Sequence, residues 1–366
     1  MSQRVGLIGC GVIAHVYVEK LKALPFVDLV ACASLREDRA AAFAAKHGIP
    51  RQLSVENLLT SDTVDVVLNL TVPLAHHDIS RRAIAAGKHV FSEKPLGLDV
   101  VQARDLVDSA QAAGVRLGCA PDTFLGAGLQ TCRKLVDDGA IGEVVAASAF
   151  TQSEGPESWH PGPEMFYQRG AGPLFDMGPY YLTALVVLLG PARRVTSSAR
   201  ITHTIRTISS EARRGETFGV EVPTHVASVV DFASGAVGTV VTSFDVQATR
   251  YRWIELYGTE ATLAVPDPNT FGGKVQIKRH YRDEWHDVDL THGNAEQARG
   301  IGLADMLWAL RSGREHRTNG RLALHVVDLM ESAVRASASG QHIELSTTCE
   351  RPEPLPAGLP DDTFDD

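Results

Sequence analysis

The chain has no long apolar run, no block of basic residues and no closely paired cysteines, and each absence removes a class of function. Without about 18 consecutive apolar residues no membrane span is expected. The N-terminal apolar stretch from Val5 to Cys10 is too short for a signal peptide and lacks a cleavage pattern. The net charge of -9, with no basic patch, argues against a nucleic-acid surface. An anionic ligand would therefore need locally placed arginines or lysines. The five cysteines (Cys10, Cys32, Cys119, Cys132, Cys349) are odd in number, scattered and never in C-x-x-C spacing. Several fall in apolar runs and read as buried thiols, not disulfides or zinc ligands, so no metal site is expected and the compartment reads as reduced and cytoplasmic. No internal repeat is present.

At 366 residues, 44% hydrophobic and 22% charged, the sequence has the balance of a globular protein and the length of two domains. Strand-like runs at Arg4–Ile8, Leu29–Ala33, Val64–Leu70, Lys88–Ser92 and Val115–Cys119 alternate with helical periodicity at Val12–Leu24, in an alanine-rich stretch ending at Gly48, at His76–Ala86 and at Val100–Ala113. Ser34 and Glu37 have capping-box spacing at the start of the second helix. This alternation predicts an α/β fold, a Rossmann-type doubly wound parallel sheet covered on both faces, over residues 1–121.

After Pro121-Asp122 the pattern changes. A helix at Leu129–Asp137, a strand at Val144–Thr151, a Gly/Pro-rich loop from Gly155 to Gly172 and an apolar helix at Tyr180–Leu189 precede a series of strands. Those strands predict a second, α+β domain with a large, mostly antiparallel open sheet over 122–346. Helices at Ile301–Arg311 and Leu322–Ala338 are expected to close it. The acidic, proline-rich tail 347–366 reads as a loose strap or disordered.

Gly9, Gly11 and Ala14 form G-x-G-x-x-A directly after the first strand, at the opening of a helix. Gly9 allows the tight turn, Gly11 lets a pyrophosphate approach the backbone, and Ala14 lets helix and strand pack closely. Val12 and Ile13 belong to the same cofactor turn. An NAD site wants an acid roughly 20 residues further on, for the ribose diol. Here the second strand ends in Ser34-Leu35-Arg36, with Arg39 following. A hydroxyl beside guanidinium suits a 2′-phosphate, so NADP is the preferred cofactor, with NAD the other possibility. Alternatively Ser34 is only a helix cap and Arg36 a solvated residue.

Val90-Phe91-Ser92-Glu93-Lys94-Pro95 ends a strand at the sheet edge where ligands sit in such folds. By itself it reads equally as a solvated strand end; a cis Lys94-Pro95 bond is open. Three motifs in order, G-C-G-V-I-A, Glu93-Lys94-Pro95 and the G-A-G-P-L-F-D-M-G-P-Y of Gly170 to Tyr180, resemble the Gfo/Idh/MocA oxidoreductase family from Arg4 to about Ser346. The resemblance implies that Lys94 faces the reacting carbonyl or hydroxyl beside the nicotinamide. It implies that Thr71-Val72-Pro73-Leu74-Ala75-His76 covers the cofactor, with Thr71, Pro73, His76 and Glu93 as contacts, although His76 also fits a surface position at a helix start. It also implies oligomer contact, dimeric or tetrameric, through the C-terminal sheet.

In the third motif the family usually has an aspartate and a histidine four residues later; this chain has Asp176 and Tyr180. That is similar to the branch with dihydrodiol dehydrogenase and sugar ketoreductases, and away from inositol dehydrogenase. Hydride transfer at a carbinol needs a proton carrier. A free tyrosine titrates near 10, and a neighbouring ammonium lowers that, so Lys94 would make Tyr180 a usable acid/base. Asp176, four residues earlier, would share a face with Tyr180 in a helix beginning near it. Core packing for Tyr180 and a cap role for Asp176 are the alternatives. Trp159 and His160 are expected to border a sugar, or Trp159 to form a lid or interface, and Asp122 to touch substrate at the domain junction.

The sequence thus predicts an NAD(P)-dependent dehydrogenase or reductase of a sugar, sugar derivative or polyol. A cofactor-retaining glycoside-cleaving enzyme and a non-catalytic sensor are the rivals.

Overall fold

Strand β1 (Gln3–Ile8) is buried from Val5 onward, as a strand covered on both faces must be. The computed structural model describes residues 3–251 and 253–365. The chain divides into two compact units: the first comprises the chain up to Gly126, His292–Leu324 and the segment from Pro352, and the second Ala127–Thr291 with His325–Arg351.

In the first unit β1 is followed by α1 (Val12–Lys22), β2 (Val27–Ala33), α2 (Glu37–His47), β3 (Gln52–Leu53), α3 (Val55–Thr60), β4 (Val66–Asn69), α4 (Pro73–Ala85), β5 (His89–Ser92), α5 (Val100–Ala113) and β6 (Leu117–Cys119). All pairings are parallel, in the order β3-β2-β1-β4-β5-β6. This is the doubly wound sheet the alternation predicts, and its order reverses direction between β1 and β4, where such sheets open to ligands. β3 and α3 are too short to show a periodicity; Ser54 starts α3 by accepting from Asn57 N at 3.1 Å.

The second unit contains α6 (Ala127–Asp137), β7 (Val144–Gln152), α7 (Gly172–Asp176), α8 (Gly178–Leu189), β8 (Ala192–Arg200), β9 (Ile205–Thr207), β10 (Thr217–Gly219), β11 (His225–Phe232), β12 (Val237–Ser243), β13 (Trp253–Gly258), β14 (Thr262–Val265), β15 (Val275–Lys278) and β16 (His286–Val288). Two further helices follow, α9 (Ile301–Ser312) and α10 (Gly320–Ser339), then β17 (Ile343–Glu344). Among the described residues nine strands form one sheet, β16-β15-β14-β13-β7-β12-β11-β8-β17, in which only β7 and β12 are parallel. The expected mostly antiparallel sheet is present. Every residue of α8 is buried, whereas β11 and β12 alternate buried with more exposed positions. One face of the sheet is therefore dry and the other open.

Two expectations about the segmentation are corrected. α9 belongs with the Rossmann unit. The tail is neither loose nor disordered: Phe364 is 1% exposed and meets Phe26 and Trp308 edge-on and tilted, and Leu355 is buried. Arg317 donates to the carbonyls of Glu353, Pro354 and Phe364, and Lys20 pairs with Asp362. Composition suggested disorder because the tail is acidic, but its two apolar anchors and the buried arginine supply enough to order it. All five cysteines are buried and unpaired.

Candidate active site

The carboxyl ends of β1, β2, β4, β5 and β6 each lead into one of the expected site segments. After β1, Gly9 has φ +105°, and a Cβ there would lie 2.4 Å from the Leu70 carbonyl oxygen, so only glycine fits. Gly11 is extended, and a Cβ built on it meets nothing within 4 Å. No side chain caps α1, Val12 is 88% exposed, Ile13 is half-buried and Ala14 is fully buried against the sheet. Uncapped amides behind an open approach suit a dinucleotide pyrophosphate, and these residues fit NAD(P).

After β2 the expected cap does not form. α2 starts at Glu37 with Arg36 at its N-cap and no side-chain cap bond, which leaves Ser34 outside the helix. Arg36 is exposed and pairs with Asp38, Nη2 to Oδ2 at 2.7 Å. Arg39 is also exposed. The neighbouring Cys32 thiol and then burial push the Cys10 thiol up, and the positive charge of Arg39 pulls the other way.

After β4, Thr71 donates from Oγ1 to Asn69 Oδ1 at 2.7 Å, and Asn69 Nδ2 donates to the His76 carbonyl and to Ser80 Oγ. Pro73 opens α4 in its first turn, where a missing N–H costs nothing. His76 is not the surface residue that its place at a helix start allowed. It is 1% exposed, its Nδ1 lies 2.8 Å from the Pro95 carbonyl oxygen and its Nε2 lies 3.0 Å from that of Thr71. Burial pushes its imidazole below the ordinary value, against the two carbonyls and Glu93, which favour the charged ring.

After β5, Glu93 is buried; its Oε1 accepts from Tyr17 Oη at 2.8 Å and its Oε2 from the Lys94 backbone N–H at 3.1 Å. Glu93 thereby holds the Lys94 backbone and helix α1. Lys94 is half-buried and its bond to Pro95 is cis. After β6, Asp122 is buried. It is 1% exposed, and Oδ2 accepts from Gly300 N at 2.8 Å and Gly302 N at 3.0 Å, so its carboxylate holds the start of α9. Gly302 must be glycine, since a Cβ would fall 2.6 Å from that of Asp122. Burial raises the Asp122 carboxyl to about 6, against the two amides.

In the second unit Asp176 ends α7 and Tyr180 lies in the first turn of α8, with Met177 between the helices. The single helix expected across both is broken there because Pro179 fits only at a helix start. Asp176 is half-buried and Tyr180 is 9% exposed. Trp159 is 67% exposed and stands edge-on to His160 and Phe166, at 5.5 and 6.0 Å between ring centres. His160 Nδ1 accepts from Gly162 N at 3.0 Å, which leaves Nε2 as its free position for a proton.

The sequence reading missed a buried charge network beneath this loop. Glu157 accepts from Tyr167 Oη at 2.9 Å and from Arg206 Nη1 at 2.7 Å; Arg206 also pairs with Asp245 and lies 5.0 Å from the Tyr167 ring centre. Thr202 and Thr224 hydroxyls donate to Asp245, each at 2.6 Å. The signal in the sequence is faint: one arginine and two acids spread over ninety residues.

Residues 3–120 match the oxidoreductase family with an NAD-binding Rossmann fold, and residues 129–264 match the GFO/IDH/MocA C-terminal domain. The chain is 31% identical over 351 residues to 1,5-anhydro-D-fructose reductase of Ensifer adhaerens, covering 94% of this chain and 99% of that protein. It is 30% identical over 338 residues to the dTDP-3,4-didehydro-2,6-dideoxy-alpha-D-glucose 3-reductase of Streptomyces antibioticus, covering 90% and 94%. In fold it is similar to levoglucosan dehydrogenase in complex with NADH and L-sorbose, with a TM-score of 0.83 at 19% identity over 94% of this chain and 99% of that one. The chain belongs to the Gfo/Idh/MocA family and is an NAD(P)-binding oxidoreductase.

Proposed function

We propose that the protein is an NADP(H)-preferring dehydrogenase or reductase that acts on a carbinol or carbonyl carbon of a sugar, sugar derivative or polyol. The carrying observation is one sheet that presents both a dinucleotide turn at Gly9-Cys10-Gly11 and a lysine, Lys94, fixed two strand ends away. That the relatives named above reduce or oxidise sugars supports the substrate class. The cofactor, when bound, supplies hydride exchange at the nicotinamide ring.

The residues of this chain do the rest. The glycine turn and the α1 amides hold the pyrophosphate; Thr71 and Pro73 shape the loop beside it. Ser34, Arg36 and Arg39 hold the 2′-phosphate, a reading supported by the exposure of the two arginines at the start of α2, beside the half-buried Ser34, and by the lack of an acid at the end of β2 itself. Lys94 stabilises negative charge as it develops on the substrate oxygen. Tyr180 gives or takes the hydroxyl proton, and Asp176 orients a substrate hydroxyl. Trp159 offers its indole face to a sugar ring, with His160 beside it.

We assign the open face of the nine-stranded sheet to a homo-oligomer, dimeric or tetrameric. Val145, Val229, Val237 and Trp253 are large apolar residues on its strands with 40–49% exposure. Among the described residues no helix is long and apolar enough to cross a membrane, and the five unpaired, buried thiols support a reducing, cytoplasmic setting.

The test is a direct titration with NADP and NAD, followed by a panel of sugars and polyols read by nicotinamide absorbance. Net cofactor turnover with one sugar class supports the reading. Release of an aglycone without net cofactor change, or ligand binding with no turnover, sinks it in favour of bond cleavage or sensing.

A further inference from the structure

We infer that His76 is the positioning residue for Lys94, a clamp and not a cofactor contact; this rests on the role proposed for Lys94. The segment Glu93-Lys94-Pro95 leaves β5 without entering another regular element, and Glu93 and Pro95 are buried. Buried backbone outside a ladder must find partners elsewhere. On the lysine side, the Lys94 N–H is taken by Glu93 Oε2 at 3.1 Å, and Glu93 Oε1 is itself held by Tyr17 of α1. On the proline side, the Pro95 carbonyl is met by His76 Nδ1 at 2.8 Å.

The opposite edge of the same ring, Nε2, lies 3.0 Å from the Thr71 carbonyl in the loop that follows β4. His76 therefore spans two loops at neighbouring strand ends, the one beside the cofactor turn and the one that carries the lysine. Its own carbonyl is fixed by Asn69 Nδ2 at 3.1 Å, and Asn69 also accepts the Thr71 hydroxyl. A neutral ring has one N–H, which the clamp places on Nδ1 for the Pro95 carbonyl, and at a 1% exposed site the ring cannot rotate without losing that bond. The N–H that meets the Pro95 carbonyl, on a ring wedged against the Thr71 loop, is the feature that matters. Phenylalanine fills the volume and bonds neither carbonyl; glutamine bonds one. The spacing from Pro73 to His76 puts this ring one helical turn into α4, so the helix start and the lysine loop are set by one side chain.

The consequence is for turnover more than for binding. A displacement of the order of 1 Å of a reacting group costs roughly 10²-fold in rate. His76→Phe should lower kcat about 30-fold or more on the best sugar of the panel, with KM and the NADPH Kd, read by nicotinamide fluorescence, within about threefold. His76→Gln, which keeps a donor for Pro95, should restore most of kcat. A readout independent of turnover is the acetylation rate of Lys94 by acetic anhydride, followed by peptide mass spectrometry. It should change several-fold in His76→Phe while the other lysines keep their rates. Wild-type kcat and Lys94 reactivity in His76→Phe overturn the clamp, as does a loss confined to NADPH Kd, which would make His76 a cofactor residue. If His76→Phe does not fold, His76→Gln against His76→Asn carries the same comparison, and equal loss in both overturns it. Lys94→Ala separates the two ideas: full activity there removes the lysine from the chemistry and the clamp with it, whereas an inactive Lys94→Ala beside a normal His76→Phe overturns the clamp alone.

Discussion

Tyr17, in the middle of α1, donates its hydroxyl to Oε1 of Glu93 over 2.8 Å, although 76 residues separate them. The helix that opens at the dinucleotide turn is thereby tied to the residue before Lys94. Both partners are buried, Tyr17 completely, so the bond connects cofactor side and lysine side through the dry interior of one sheet.

Removing that hydroxyl tests the tie. Tyr17→Phe leaves a buried carboxylate short of one donor, and about 1–3 kcal/mol of stability should go with it. Urea unfolding measures the loss, and kcat should fall alongside because Glu93 also holds the Lys94 amide. An unchanged midpoint and an unchanged kcat together would show that Glu93 is held by its backbone contact alone.

Lys94→Ala and Tyr180→Phe should each reduce turnover about 10²- to 10⁴-fold, the range that a positioned proton carrier or charge stabiliser contributes. NADPH binding, read by fluorescence, should survive both. Near-normal rates in either variant would remove that residue from the chemistry.

The pair between Arg36 and Asp38 bears on cofactor choice. Arg36→Ala should weaken NADP by roughly tenfold while leaving NAD nearly untouched, since the guanidinium matches a phosphate and not a diol. Asp38→Asn should act the other way, tightening NADP a few-fold by freeing Arg36 and removing a negative charge that faces the phosphate. Equal losses for both cofactors in Arg36→Ala would place the 2′-phosphate elsewhere.

Acid should destabilise the protein through two buried histidines. His316 and His325 are pushed down to about 4 by burial. His325 Nε2 accepts the Ala192 N–H at 3.0 Å, so that edge must stay unprotonated. The unfolded chain binds protons that these neutral rings refuse. Their contribution is therefore complete above pH about 6.5 and is lost as pH falls toward 4, on the order of 3 kcal/mol for each ring. Asp122 has the opposite sign: its carboxyl, raised to about 6, is most favourable when protonated, so its share is fully present below about 3.8 and is lost as pH rises to 6. Urea midpoints between pH 4.5 and 7.5 should fall with acid in the wild type and fall less in His325→Gln. Asp122→Asn should steepen the acid loss; a flattening would contradict the raised carboxyl.

Arg206→Met should cost about 3–5 kcal/mol, because it leaves Glu157 and Asp245 as buried charges without their shared partner. The network anchors the loop that carries Trp159, so substrate KM should rise in the same variant. A loss below about 1 kcal/mol would mean that water reaches both carboxylates.

The sequence by itself determined the parallel sheet, the dinucleotide turn and the mostly antiparallel second sheet, because each rests on local periodicity and on glycines whose need is local. The turn at Gly9-Cys10-Gly11 and helix α5 with its Asp99 cap, whose carboxylate accepts from Gln102 N at 2.9 Å, are of this kind. Only the tertiary structure decided how charged and polar groups at the strand ends are used. Asp122 reads as a ligand contact until Gly300 and Gly302 arrive from 178 and 180 residues away to take its carboxylate. His76 fits a surface position as well as a cofactor contact until its burial between two carbonyls rules out the surface, and the acidic tail reads as a loose strap or disordered until Phe364 meets Phe26 and Trp308. A polar side chain has no periodicity that reveals its partner, and the desolvation that fixes its role is set by residues far away in the chain.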